Sequence, residues 1–185
     1  MTVMTKLHAI VQELDELTQR VPEQDFTPLI DAILAAGHIF IAGAGRSGFM
    51  ARAFTNRLMH LGLKVSFVGE PSTPSIHKND LLFIASGSGE TASLVAMAKK
   101  AQKQGATLAT LTLFPQATIG QTASVVVQLP GYTTKSSEQQ GSSIQPMGSA
   151  YEQLSLLFMD SVVLALMERT GQTEAEMFAR HANLE

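Results

Sequence analysis

Apolar residues change their period along this chain, and the changes divide it into elements. From Leu7 they fall at Leu7, Ile10, Val11, Leu14 and Leu17, steps of three and four that predict an amphipathic helix. Phe26 to Ala36 predicts a second helix, with Asp25 as its cap and Gly37 as its stop. The pattern then turns into short continuous apolar runs. His38–Ala42, Lys64–Val68, Leu81–Ala85, Thr107–Leu113 and Ser124–Leu129 read as five buried strands. Between them, Ser47–Leu61 and Thr91–Gln104 keep a helical spacing and are closed by Gly62 and Gly105, and a short turn or helix precedes the fifth strand. Strands alternating with helices predict an α/β fold, a five-stranded parallel, doubly wound sheet flanked by helices. Ligands of such sheets bind beyond the C-terminal strand ends, and both Gly-rich loops of this chain fall there.

Gly131–Gly148 is rich in Ser, Thr, Gln and Gly and reads as a long loop, a kind of segment that is often functional. An apolar helix, Ala150–Arg169, follows; it is hydrophobic nearly all round and is therefore expected to be buried. Thr173 begins a last short helix ending near Ala182. The expected organisation is a single domain over residues 1–185. Its N-terminal helices (1–36) and C-terminal helices (150–182) pack on the sheet or on neighbouring subunits.

Composition narrows the partners. The net charge of −3, from 13 Lys+Arg against 16 Asp+Glu, lacks the basic excess of a nucleic-acid binder. Charged residues are only 16% of the chain, well under the usual quarter, so part of the exterior is expected to be buried in a homo-oligomer. With no Cys, thiolate catalysis, disulfides, iron–sulfur clusters and Cys-zinc sites are excluded. There is no HExxH, paired His at metal spacing or acidic cluster, so no metal is expected. The apolar stretch Leu154–Met167 is broken by Ser155, Asp160 and Ser161 and is shorter than the ~20 residues of a membrane span. Met1–Arg20 carries Glu13, Asp15 and Glu16 and is not a signal peptide. A cytoplasmic protein with no membrane partner is expected.

The first glycine loop is Gly43-Ala44-Gly45-Arg46-Ser47-Gly48, a GxGxxG pattern between strand and helix. Glu70 lies after the next strand, where a ribose-binding acid would sit, so a dinucleotide site is one alternative. The second loop, Ser86-Gly87-Ser88-Gly89-Glu90-Thr91, also enters a helix N-terminus. Its glycines let the backbone approach an anion, and its hydroxyls add donors, which suits one small phosphate rather than a pyrophosphate. No P-loop Lys follows, which argues against a nucleoside triphosphatase. Either loop alone could be an ordinary turn; two at neighbouring strand ends make that reading weaker.

The pair GAGRSG and SGSGET, at this separation, resembles the sugar isomerase (SIS) domain family. Arg57–Gly62, Val68–Pro71, Gln145–Gly148, Tyr151-Glu152 and Arg180–Glu185 narrow the resemblance to its 6-phospho-3-hexuloisomerases. That resemblance implies interconversion of 3-hexulose 6-phosphate and fructose 6-phosphate, in the ribulose monophosphate route of formaldehyde fixation, with no cofactor. A departure is the unusually polar Ser136–Ser143 segment. The other SIS function, a sugar-phosphate sensor in transcription regulators, comes with a helix-turn-helix domain. Here only about 36 residues precede the first strand, and they form two acidic helices.

Moving a carbonyl between adjacent carbons through an enediol needs a base at carbon, a proton shuttle for the oxygens and a firm phosphate anchor. The resemblance implies that the anchor is Ser47, Ser86, Ser88 and Thr91, with backbone donors Gly45, Gly87 and Gly89 and with Arg46 as the nearby cation. Glu152 is the leading base; its alternative is a first-turn Glu that merely favours the helix dipole. Among five histidines, His181 near the C-terminus is the leading shuttle, reaching an active site that by resemblance is often a neighbouring subunit's. His60 is the second choice, with a packed core histidine as its alternative. His8 and His77 are expected at the surface and His38 in a structural role. Glu90 is expected to cap its own helix. By resemblance the assembly is a tetramer.

Overall fold

The computed structural model describes residues 2–132 and 142–184. Residues 133–141, the centre of the expected loop and most of its polar departure, lie outside the described residues, as does Glu185. The elements are helices α1 (Val3–Thr18) and α2 (Thr27–Ala35), strand β1 (Ile39–Gly43), α3 (Gly45–His60), β2 (Val65–Phe67), β3 (Leu81–Ala85), α4 (Ala92–Lys103), β4 (Thr107–Thr112), α5 (Thr118–Thr122), β5 (Val125–Gln128), α6 (Ser149–Thr170) and α7 (Glu174–Phe178). All five expected strands and the main helices are present within a few residues of their expected ends.

The strands form one parallel sheet in the order β2-β1-β3-β4-β5. Alternate residues of each central strand enter two separate cores. Ile39, Ile41, Leu81, Phe83, Ala109 and Leu111 pack beneath α1, α2, α3 and α6. Phe40, Ala42, Leu82, Ile84 and Leu108 pack beneath α4 and α5 with Leu94, Ala98 and Ile119. The chain therefore leaves β1 for a helix on one face and leaves β3 for a helix on the other. These adjacent strands make the topological switch point, where the two connections diverge and open a crevice.

Two side-chain devices finish the edges of the fold. The N-cap of α2 is Phe26 rather than the expected Asp25, but Asp25, one residue earlier, accepts the Thr27 N–H at 2.8 Å and so holds the start of the helix. Gln24 pairs with the edge strand β5, donating to Gln128 O at 2.8 Å and accepting from Gln128 N at 3.1 Å, which closes part of an otherwise open ladder.

In the C-terminal half, α6 matches the expected Ala150–Arg169 helix within one residue at each end, and α7 departs from the sequence reading. With 22 residues, α6 as a whole is long and apolar enough to cross a membrane, unlike its shorter apolar stretch Leu154–Met167. Its Leu154, Met159, Val162, Val163 and Leu166 nevertheless lie in the core under the sheet, which explains their apolarity without a bilayer. Leu157 and Leu164 remain exposed on its outer side. Helix α7 ends at Phe178 rather than near Ala182, although Thr173 and Glu176 form the capping box that starts it. Its end is fixed by Arg180, which donates to His60 O, Gln172 Oε1 and Glu176 O.

His38 and His60 are both buried. Desolvation, seconded by Lys64, lowers the pKa of His38 below 6.5; desolvation, seconded by Arg57 and His181, lowers that of His60. A depressed histidine pKa leaves stability intact above the unfolded value of 6.5. Below it the unfolded chain binds protons that the folded chain refuses, so stability falls with pH. We expect the thermal midpoint to decline as pH is lowered from about 7.5 to about 5, and His60→Gln to flatten part of that slope. A midpoint constant across this window in the native protein would contradict the assignment.

Candidate active site

Both glycine loops open at the switch point into one cleft of about 250 Å³. Its walls are Ala44, Gly45 and Ser47 from the first loop, Ala85–Ser88 and Thr91 from the second, Tyr132 and Met147 from the long connection, and Tyr151 and Glu152 from α6.

The cleft is built to receive negative charge. The first intrahelical bond of α3 is Gly48 N–H to Ala44 O, and that of α4 is Val95 N–H to Thr91 O. The N–H groups of Gly45, Arg46 and Ser47, and of Ala92, Ser93 and Leu94, are therefore left without helical partners. Neither helix has a side-chain cap or an acidic residue in its first turn. Two uncapped positive helix ends thus border the same space. Ser47 and Thr91 contribute hydroxyls beside them. Ser86 is buried, and its Oγ accepts the Gly89 N–H at 3.2 Å; Ser88 Oγ accepts the Glu90 N–H at 3.3 Å.

Glycine is required where these loops pack. A Cβ on Gly48 would lie 2.8 Å from Gly43 O, so the start of α3 sits directly against the end of β1. A Cβ on Gly87 would lie 3.0 Å from the Tyr151 ring. That ring is buried and its hydroxyl donates to Leu111 O at 2.8 Å; burial, helped by the Glu152 charge, pushes the phenol pKa far up and keeps it a neutral donor. Thr112, buried on β4, donates to Gly87 O at 3.3 Å and accepts the Phe114 N–H at 3.2 Å. Thr112 bonds the second loop at Gly87 O, and the Tyr151 ring packs against the same glycine.

Two expectations for that loop change. The Gly89 N–H is engaged by Ser86 O and Oγ, so Gly89 shapes the loop rather than donating into the cleft. Glu90 does not cap its own helix: its carboxylate accepts the Thr118 N–H at 2.6 Å and caps α5, a bond that lowers its pKa.

On α6, Glu152 is only partly exposed and forms an ion pair with Arg46 of the first loop at 3.1 Å. Arg46 also donates to Ser149 Oγ at 2.6 Å. The expected base and the expected cation thus form one unit that bridges the first turns of α6 and α3. Glu70 is absent from the cleft walls; its carboxylate is held by Arg52, whose guanidinium lies 3.9 Å over the Phe67 ring. The acid expected by a dinucleotide site is therefore committed elsewhere.

The sequence profile of the SIS domain matches residues 32–157, from α2 through both loops to Glu152. A 3-hexulose-6-phosphate isomerase of Bacillus subtilis is 44% identical over 176 residues, covering 95% of each chain. One from Mycobacterium gastri is 36% identical over 183 residues, covering 99% of this chain and 92% of that one. Among solved structures, a Methanococcus jannaschii protein superposes with a TM-score of 0.83 at 35% identity, covering 98% of this chain and 99% of that one. A molecular function of 3-hexulose-6-phosphate isomerase was inferred for it from its structure. The chain belongs to the SIS domain family.

Within this SIS domain, the two histidines singled out from the sequence are not in the cleft. His60 ends α3, fifteen residues from Gly45 and therefore roughly 22 Å along the helix from the first loop. His181 stacks on it with centroids 5.4 Å apart, and Phe178 stacks on His181 in turn. In a single chain the carboxylate and the imidazoles thus lie at opposite ends of α3. His38 bonds Ser66 Oγ at 2.9 Å and stacks on Phe40, and His8 and His77 are exposed, as expected. Tyr132, Met147 and Tyr151 were not singled out from the sequence. The available signal was an aromatic beside Glu152 and the Gln145–Gly148 motif at the end of the loop.

Proposed function

We propose that the chain interconverts 3-hexulose 6-phosphate and fructose 6-phosphate by proton transfer through a 2,3-enediol. The observation that carries this reading is a carboxylate, Glu152, in the same cleft as two glycine loops that enter uncapped helix starts. The isomerase relatives, similar over nearly the whole chain, support the same substrate.

The substrate phosphate sits where α3 and α4 converge, held by the N–H groups of Gly45, Gly87 and the helix starts, and by the Ser47, Ser86, Ser88 and Thr91 hydroxyls. That remote anchor fixes C2 and C3 against Glu152. Glu152 takes the proton from one carbon and returns it to the other. Arg46, paired with the carboxylate at 3.1 Å, orients it, and its guanidinium is the cation available to the enediolate oxygen. No redox cofactor enters these steps. A coupled assay that consumes fructose 6-phosphate tests the reading. Purified protein given 3-hexulose 6-phosphate should run well above background without added cofactor, and a background rate would overturn it.

The histidines enter through assembly. We propose a cytoplasmic homo-oligomer, a tetramer, with sites at subunit boundaries. The exposed apolar stripe Val3, Leu7 and Val11 on α1, and Leu157 and Leu164 on α6, are faces suited to burial between copies. His181, with His60 behind it, then reaches a neighbour's cleft and serves ring opening and proton transfer at oxygen. Glu152→Gln and His181→Ala homo-oligomers should each be nearly inactive. Co-refolding the two should restore up to about a quarter of native activity, because some boundaries then pair an intact Glu152 with an intact His181. Mixtures that stay inactive, or a monomer in sedimentation, would contradict shared sites.

A further inference from the structure

We propose that α1 is a clamp that sets the rim of the catalytic cleft, with Glu13 and Arg20 as positioning residues. The proposal rests on the reading of that cleft as the isomerase site.

The cleft's outer wall comes from the two ends of the long connection between β5 and α6. At the near end, Tyr132 lines the cleft, and its hydroxyl accepts a hydrogen bond from Arg20 Nη1 at 2.9 Å. At the far end, one carboxylate grips two consecutive residues. Glu13 Oε1 accepts the Ile144 N–H at 3.1 Å, and Glu13 Oε2 accepts from Gln145 Nε2 at 3.0 Å. Gln145 is buried, although Ile144 beside it is exposed. Glu13 lies on α1 and Arg20 directly follows its C-cap Gln19, so the two grips come from α1 and the turn that ends it.

What is gripped leads straight to the chemistry. Two residues past Gln145, Met147 has a φ of 59°, a left-handed conformation that a side chain adopts only when its surroundings enforce it. Met147 lines the cleft, Gly148 starts α6, and Glu152 lies one turn further on. Pro146 O accepts the Ser149 N–H, which ties the strained residue to the helix. The chain from Gln145 to Glu152 is therefore a short stiff lever. Its outer end is fixed by Glu13, and its inner end carries the base. The donors of the phosphate anchor lie on α3, α4 and their loops, and the lever meets those loops through the Tyr151 ring against Gly87 and through the Arg46 pair.

Misplacing a reacting group by about 1 Å can cost on the order of a hundredfold in rate. We therefore expect Glu13→Ala to lower kcat by roughly ten- to a hundredfold. The inhibition constant of inorganic phosphate, which probes the anchor alone, should stay within about twofold, and the thermal midpoint should barely move. The swap Glu13→Gln with Gln145→Glu exchanges donor and acceptor while keeping both bonds, and it should recover most of the rate. Amide exchange at Ile144 reads the clamp without turnover: slow in the native protein, fast in Glu13→Ala. A Glu13→Ala enzyme at native kcat overturns the clamp. So does parallel loss of kcat, phosphate binding and stability, which marks a merely structural contact. Native protein without turnover would instead overturn the isomerase reading. The clamp would then stand or fall on whether Glu13→Ala accelerates exchange at Ile144.

Discussion

Replacing Glu152 by Gln should lower the rate of hexulose phosphate isomerisation by about 10²- to 10⁴-fold while leaving the fold intact. The amide keeps the size and position of the carboxylate but cannot take a proton from carbon. The other groups around it survive the change. Arg46 retains its bond to Ser149, and the phosphate donors belong to α3, α4 and their loops rather than to α6. Affinity for fructose 6-phosphate by calorimetry should therefore change by no more than a few-fold. The lost ion pair involves a half-exposed Arg46 and contributes about 0–1 kcal/mol to stability, so the thermal midpoint should hardly shift. A variant that still turns over at a rate near native would remove Glu152 from the role of base and leave the cleft as a binding site only.

The second large effect concerns the second glycine loop, the proposed phosphate anchor. Gly89 has a φ of +63°, and a Cβ there would lie 2.6 Å from Ala117 Cβ. Ala at this position meets two separate costs: the left-handed backbone, about 1–2 kcal/mol, and overpacking, about 1–3 kcal/mol. Gly89→Ala should thus lose about 2–5 kcal/mol, a drop of roughly 4–20 °C in a chain of this size. It should also weaken fructose 6-phosphate binding on the order of tenfold, because Ser86 and Ser88 move with the loop. Gly45→Ala is the matched control. Gly45 also has a positive φ, +57°, but nothing lies within 4 Å of its Cβ position, so only the backbone cost remains. Equal losses at the two sites would contradict the packing argument.

These residues also show where sequence reasoning reaches and where it stops. The strand runs were legible because both faces of a parallel sheet are buried, which leaves an unbroken apolar signal at Phe40–Ala42 and Leu81–Ala85. The glycine loops were legible as strand-to-helix turns bordering one cleft because strand, glycines and helix start are consecutive in the chain. Partnerships between distant segments were not. Glu90 looks like a cap for the helix that follows it, but its acceptor role is toward Thr118, 28 residues away, on an element that packs beside it. Gly89 N–H looks free in the sequence and is consumed by Ser86 just before it. Glu13 reads as one more polar residue on an amphipathic helix, and its bonds to Ile144 and Gln145 join residues more than 130 positions apart. The placement of His60 and His181 at the far end of α3 follows from the length of that helix, which was readable, and from the return of the C-terminus onto it, which was not. Residue types and local spacing gave the chemistry. Tertiary packing decided which atoms serve it.

The most direct test follows the carbonyl itself. Fructose 6-phosphate labelled with carbon-13 at C2 is incubated with the native protein and observed by NMR. If the cleft carries out a 2,3-enediol isomerisation, the labelled carbon should leave the ketose anomeric region and appear as a secondary alcohol carbon of 3-hexulose 6-phosphate, with Glu152→Gln leaving it in place. A label that stays at the carbonyl, or one that moves into an aldose phosphate, would contradict the assignment of this site to carbons 2 and 3.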